Sequence, residues 1–474
     1  MPPTVSELIR ALPDVETSTE AAPLEEPWSA ALRSVPVGRW RRLRLLGTLQ
    51  AKIAAAYAFY WIRGWFRNAE SRERLLAETH WQTALSLFDS MSYLRGAVMK
   101  IGQTLANFPD IMPQAFVETL EQLHFDAPPM HWMLLREMVY NELGEDPENL
   151  FASFDQRAFA AASLGQVHAA RLKNGTEVAV KIQYPGIGRT IREDFRNFFL
   201  FLLPGRLSKD WQYVKNQFDD LRRRLEQETD YQAEAAALTR IRPLFRDDEG
   251  ILVPRVYPQH STTRVLTMER LDGVHLQEFL DGNPAQQERD EFARKIVRAW
   301  YRMQYAGRLL YADFHPGNFL FMDDGRLGLL DFGFVLPLDD ELWPVMRDMD
   351  RAFTTGRRED RIAAVKEWSG GITDDPADAD HLRLAEEFAD WEMRARYCGG
   401  PFDFGDEADF RRGIDLFNEC VRKRYSKSRP CTPVIVRQHM GWRSVLYRLK
   451  AKIDIRPIAE EEVKATGWDR SEYA

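Results

Sequence analysis

The sequence predicts an α+β protein with a small strand-bearing lobe and a larger helical lobe. Strand-like runs gather in one third of the chain, at 155–185, 251–257 and 264–269, and helical periodicity fills most of the remainder. Apolar residues make up 45% of the 474 positions and charged residues 29%, enough for packed domains and unlike a disordered polypeptide. A third observation is chemical. Residues 311–334, YADFHPGNFLFMDDGRLGLLDFGF, set Asp313, Asn318 and Asp331 around short apolar runs.

Residues 1–30 are acidic and Pro-rich, not basic then apolar, so they read as a tail and not a secretory leader. The segment LLGTLQAKIAAAYAFYWIRGWF (45–66) follows RWRRLRLL and has Trp40, Trp61 and Trp65 near its ends. Lys52 and Arg63 interrupt it, so it falls short of the ~18 apolar residues of a spanning helix. It reads either as an amphipathic helix packed on its own protein or as one lying on an anionic membrane surface. Residues 1–69 are therefore expected to be a tail containing this segment. Residues 70–150 are expected to be a helical extension, continuous until the breakers FPDIMP and DAPPM.

From 155 to 185, two strand-like runs flank a turn at Lys173, Asn174, Gly175 and Thr176. Residues 211–243 are helical and densely charged, ILVPRVY and RVLTMERLDG supply further strands, and helix dominates from about 276 to 307. A mostly helical region from about 340 to 460 is broken by acidic, Gly-rich loops near 370–377 and 399–408. The expected lobes are 151–268 and 269–460, followed by a polar tail at 461–474. The net charge of −8 argues against a nucleic-acid-binding surface. Cys398, Cys420 and Cys431 are widely spaced and odd in number, with no CxxC pair. That pattern disfavours a disulfide framework or a cysteine zinc site and points to a reducing, cytoplasmic compartment.

In EVAVKIQ, Val178, Val180 and Ile182 alternate with Ala179 and Lys181, so a strand here puts Lys181 on the face of Ala179. An inward lysine needs an anion; the alternative is an edge lysine reaching solvent. Just upstream, Ala160, Ala161, Ala162, Ser163 and Gly165 are small residues ahead of a strand, where backbone N–H groups can approach phosphate, although Ala-rich turns also occur in tight packing. Asn318 follows Asp313 by five positions, across a loop forced by Pro316 and Gly317, and Asp331 opens Asp-Phe-Gly after LGLL. D-x-x-x-x-N, a strand-length gap, D-F-G and an upstream V-A-V-K match a kinase-like site. Asp313 would orient the attacking hydroxyl or water, and Asn318 and Asp331 would hold Mg²⁺. A helix carboxylate must then meet Lys181. LEQETDYQAEAAALTRI (225–241) offers Glu226, Asp230 and Glu234 on one helical face, and also Glu228.

Together these residues resemble the UbiB/ADCK (AarF-domain) family of atypical protein-kinase-like proteins. KIGQ (100–103), AAASLGQVH (160–168), VAVK (178–181), ETDYQAEA (228–235), ADFHPGN (312–318) and DFG (331–333) carry the resemblance, which runs from about 75 to 460. It implies a protein-kinase-like two-lobed fold whose helical extension caps the active site. It implies Lys181 on the nucleotide phosphates with Glu234 as its partner, and Glu228 and Asp230 as an ExD motif contacted by Lys100 and Gln103 of the extension. The hinge is expected at TMERLDG, with Met268 beside the adenine pocket and the backbone of Glu269 and Leu271 offered to the base. The implied cofactors are ATP or ADP and Mg²⁺. The implied activity is ATP hydrolysis or lipid-linked phosphotransfer supporting quinone or other isoprenoid lipid metabolism, with peripheral membrane contact and a groove closed to protein substrates. Two alternatives stand beside it. A small-molecule phosphotransferase would lack KIGQ, and a nucleotide-binding scaffold without turnover would not need both Asp313 and Asp331. The family usually has Pro where Phe314 stands, so the catalytic loop is expected to differ in shape, with His315 organising it.

Overall fold

The computed structural model describes residues 132–466, save 163, 190, 192–214, 216–221, 223–225, 227, 246–249, 312, 356, 370–371, 374, 424 and 426–431. Lys100, Gln103, Ser163, Cys431, the segment 45–66 and most of the expected extension lie outside the described residues. In chain order the small lobe holds α1 (Trp132–Leu143), β1 (Ser153–Phe154), β2 (Ala160–Ala162), β3 (Gly165–Arg171), β4 (Glu177–Gln183), α2 (Tyr231–Ile241) and β6 (Val265–Glu269), while β5 (Ile251–Leu252), between α2 and β6 in the chain, pairs with the large lobe. The large lobe continues with α3 (Leu276–Asp281), α4 (Gln286–Tyr305), β7 (Leu309–Tyr311), β8 (Phe319–Phe321), β9 (Leu327–Leu329) and β10 (Val335–Pro337). It ends with α5 (Leu342–Thr355), α6 (Arg358–Ser369), α7 (Ala379–Tyr397), β11 (Phe402–Asp403), α8 (Glu407–Arg422), α9 (Thr432–Leu449), β12 (Lys452–Ile453) and α10 (Arg456–Ala465).

The small-lobe sheet is antiparallel. β3 and β4 form a hairpin whose turn closes through Gly175, at φ +89°, a backbone conformation that glycine adopts without steric cost. β1 and β2 both pair with β3, and β6 pairs with β4. Alternation along β4 sorts two faces. Val178, Val180 and Ile182 are buried in one cluster with Leu135, Met138 and Val139 of α1. Ala179 and Lys181 take the other face, opposite Met268 and Leu266 of β6, and Ala179, Leu266 and Met268 join the core of the large lobe. Helix α1 thus packs on the small sheet, so the boundary expected at 150/151 runs through one packed unit.

The large lobe is organised on α4, which buries Phe292, Ala293, Ile296, Val297 and Trp300, a stripe at helical spacing. Two short ladders set the site against it. β7 pairs with β10, and β9 pairs with both β8 and β5. The polar tail expected from 461 is corrected at its start. Helix α10 runs to Ala465 and buries Ile458, Ala459, Glu462 and Val463. Buried Glu462 is compensated by Arg302 of α4, whose Nε lies 2.8 Å from Glu462 Oε2. Among the described residues no helix is long and apolar enough to cross a membrane.

Candidate active site

Between the lobes, Lys181 is 8% exposed. Its Nζ donates to both oxygens of Glu234 (2.8 and 2.9 Å) and to Asp331 Oδ2 (3.2 Å). The ammonium also lies 5.0 Å from the centroid of the Tyr231 ring. Burial works against the charge on Lys181, but the carboxylates of Asp331 and Glu234 outweigh it and hold the ammonium well above the ordinary lysine range. Burial and the neighbouring Asp331 push Glu234 up to about 7, against the pull of Lys181.

Glu234 reaches Lys181 because a helix begins just before it. Asp230 has an extended backbone, and its carboxylate accepts from the N–H groups of Gln232 (3.0 Å) and Ala233 (3.4 Å), an N-cap that starts α2 at Tyr231. The single helical face expected for Glu226, Asp230 and Glu234 is therefore corrected. Residues 228–230 are a turn, and Asp230 caps a helix where the periodicity placed it inside one. Glu228 lines the cleft with Leu164, Tyr231, Glu234, Asp313 and Asp331, in a space of about 380 Å³ counted out into the solvent at its mouth.

The Ala-rich stretch is a strand and a tight turn. Ala160, Ala161 and Ala162 pair with Val167, Gln166 and Gly165. Leu164, 2% exposed, accepts from the Tyr184 N–H at 3.0 Å and lines the cleft. The smallness of Gly165 has a packing reason here, since a Cβ would stand 2.0 Å from the Ile182 carbonyl oxygen of β4. Met268 is buried opposite Ala179. The Glu269 N–H donates to the Arg255 carbonyl (2.7 Å), and Glu269 Oε2 accepts from the Arg255 N–H (3.1 Å). Any contact of the Glu269 backbone with a base edge therefore falls to its carbonyl. Leu271 is half-buried near Gly328.

The opposite wall is the loop between β7 and β8. Asn318 Nδ2 donates to the Asp313 carbonyl and to Asp313 Oδ2, both at 2.9 Å. His315 is exposed and orders the loop by accepting the Gly317 N–H at its Nδ1 (3.1 Å). Asp331 is fixed from two sides, its Oδ1 accepting from the Gly333 N–H (2.8 Å) and its carbonyl from the Tyr311 hydroxyl (2.8 Å). The Asp331 carboxylate and Asn318 amide are hard oxygen donors suited to Mg²⁺. Among the described residues no group of three or more His, Cys, Asp or Glu could hold a metal.

Two residues on α9 complete the loop, and sequence reasoning missed both. Arg437 Nη2 donates to Asp313 Oδ1 at 2.8 Å, so both carboxylate oxygens of Asp313 are held. One turn on, a Cβ at Gly441 would stand 2.9 Å from Phe314 Cβ. Phe314, 4% exposed, seats there with Tyr311 and Phe319, ring centroids 4.8 and 5.9 Å away. The altered loop shape expected at Phe314 is thus an aromatic anchor on α9. The only local signal was the i, i+4 spacing of Arg437 and Gly441, which puts them on one helix face. Arg437→Ala should slow turnover by roughly 10- to 100-fold, the value of a charge-assisted hydrogen bond of about 1.5–3 kcal/mol. Nucleotide affinity should hold, and Arg437→Lys should restore part of the rate. Phosphate-release kinetics beside a nucleotide titration check this. Equal losses in affinity and rate would mean that Arg437 only supports the fold.

The ABC1 atypical kinase-like domain model matches residues 122–361. The chain is 30% identical over 444 residues to Atypical kinase COQ8B, mitochondrial, of Rattus norvegicus, covering 90% of this chain and 81% of that protein. It is 30% identical over 315 residues to Atypical kinase COQ8, mitochondrial, of Saccharomyces cerevisiae, covering 65% of this chain and 61% of the yeast protein. It thus spans less than two thirds of that relative's length. Among solved structures, the complex of Rv3197 with erythromycin from Mycobacterium tuberculosis is similar, with a TM-score of 0.56 and 26% identity, covering 84% of this chain and 100% of that one.

Proposed function

From the chain's membership of the ABC1 (UbiB/ADCK) family of atypical kinase-like proteins, we propose that it is a Mg²⁺-dependent, ATP-binding atypical kinase or ATPase. It supports ubiquinone or other isoprenoid lipid metabolism at a membrane surface. The observation that carries this reading is the convergence of Glu234 and Asp331 on buried Lys181 (2.8 and 3.2 Å), across the cleft from the Asp313–Asn318 pair. Lys181 binds the nucleotide phosphates as a point charge, and Glu234 orients it. Asn318 and Asp331 hold Mg²⁺, which neutralises charge on the transferring phosphoryl group. Asp313, fixed by Asn318 and Arg437, orients the attacking hydroxyl or water. Ala160, Ala161, Ala162, Ser163 and Gly165 cover the phosphates, and Met268, Glu269 and Leu271 border the base.

The extension bearing Lys100 and Gln103 closes the groove to protein substrates. Of the ExD motif, Glu228 lines the cleft, whereas Asp230 caps α2. Membrane contact is peripheral, through the segment at 45–66. Incubating the protein with labelled Mg-ATP, a generic protein acceptor and anionic liposomes tests the reading. Phosphate release without label on the acceptor is expected. Transfer to the acceptor would overturn the closed groove, and no nucleotide binding at all would overturn the function.

A further inference from the structure

The large lobe contains a second cavity, away from the nucleotide cleft and enclosed by α4 to α9, of about 1080 Å³ counting the space at its open mouth. Six of its lining side chains set its character: Trp300, Met349, Trp368, Phe388, Met393 and Phe417. Aromatic rings and thioethers make a polarizable wall that adapts to an occupant's shape. Most charged groups in the wall are paired with one another, although the buried Nη2 of Arg396 has no hydrogen-bond partner among the described residues. Arg396, 5% exposed, pairs with Asp350 and with the Tyr301 hydroxyl. Glu392 lies 2.9 Å from His439 Nδ1. His381 stacks on Tyr425, ring centroids 4.2 Å apart, and burial holds its imidazole below the ordinary range, which favours the neutral form. A charged occupant would have to compete with these pairs for a counter-charge, which is costly in a buried wall.

We infer that this cavity is a binding site for a neutral, largely apolar small molecule. The site is independent of the nucleotide reading, and its test needs no nucleotide. Helix α9 forms one wall through Ile435 and His439 and grips the catalytic loop through Arg437 and Gly441. An occupant therefore sits one helix away from Asp313.

Two fluorescent probes test the class of ligand. N-phenyl-1-naphthylamine is neutral, and 8-anilinonaphthalene-1-sulfonate has the same rings with a sulfonate. The full chain should bind the neutral probe saturably and the sulfonate at least about tenfold more weakly. Ala385→Phe fills the cavity from a half-buried wall position. It should weaken the neutral probe by about tenfold or more with an unchanged thermal midpoint. Because that variant could disturb packing, alkylation of the parent protein gives a second readout. Cys420 lines the cavity and exposed Cys398 does not, so the neutral probe should slow iodoacetamide reaction at Cys420 and leave Cys398 unaffected. Undiminished probe binding by folded Ala385→Phe, or an unprotected Cys420, overturns the site. Equal affinity for the two probes overturns the neutral class.

Discussion

Lys181→Met should abolish turnover and weaken the fold in the same protein. The ammonium is buried and shared by Glu234 at 2.8 Å and Asp331 at 3.2 Å. Removing it leaves two carboxylates facing each other with no cation between them. Breaking a buried pair from one side typically costs about 3–5 kcal/mol, and losing a preorganised charge at the phosphates slows reaction on the order of 10²- to 10³-fold. The pH dependence gives the sign. In the parent, the raised Lys181 contributes stability that is fully present below its ordinary value of 10.5 and is lost only as pH rises through its higher folded value. In the variant, Glu234 dominates. Burial and Asp331 already push it up to about 7 from an ordinary 4.5, so the folded state takes up its proton before the unfolded state does. Without the pull of Lys181 the Glu234 carboxyl lies higher in the variant than its value of about 7 in the parent. The variant should therefore begin to regain stability at a higher pH than the parent, and gain more of it as pH falls toward 4.5. Thermal unfolding of both proteins across this range checks it. A variant that tracks the parent at every pH would show that the carboxylates do not interact as the geometry requires.

The parts of the site legible in the sequence are those encoded by short-range geometry. Period-two alternation in β4 puts Lys181 on the face opposite Val180 whatever the rest of the chain does. Pro316 and Gly317 force a loop that holds Asp313 and Asn318 within hydrogen-bond reach at 2.9 Å, a contact five residues apart. The first error lay where two local rules compete. Glu226, Asp230 and Glu234 have helical spacing, but aspartate is also among the best N-caps, and its carboxylate satisfies two N–H groups at the start of α2. Periodicity cannot decide between these, since an N-cap one residue before a helix keeps the same spacing.

What was illegible depends on tertiary packing. Arg437 meets Asp313 across 124 positions, and nothing in the neighbourhood of either residue marks the other. Gly441 is small because Phe314 of another segment packs there, and Gly165 because the Ile182 carbonyl passes close by. Such glycines resemble flexible ones in sequence. The large-lobe cavity was equally hidden, because its wall comes from six helices whose apolar residues read individually as ordinary core.

Asp331→Asn should separate charge from shape. The carboxylate accepts from the Gly333 N–H at Oδ1 (2.8 Å) and from Lys181 at Oδ2 (3.2 Å). An amide of the same outline must aim its NH₂ at one of these donors. It also brings no negative charge to a hard cation. Magnesium should therefore stop strengthening ATP binding, a loss of roughly 10- to 100-fold for a charge-assisted contact of about 1.5–3 kcal/mol. Turnover should fall on the order of 10²- to 10³-fold. The unliganded fold should respond in the opposite sense to Lys181→Met. Asp331 is one of the charges that push Glu234 up, so removing it relieves Glu234 and leaves Lys181 with a buried partner at 2.8 Å. Thermal stability should hold or rise while metal-dependent affinity disappears. Nucleotide titrations with and without magnesium, beside thermal unfolding of the unliganded protein, measure both. A variant whose ATP affinity still improves with magnesium would remove Asp331 from the metal site.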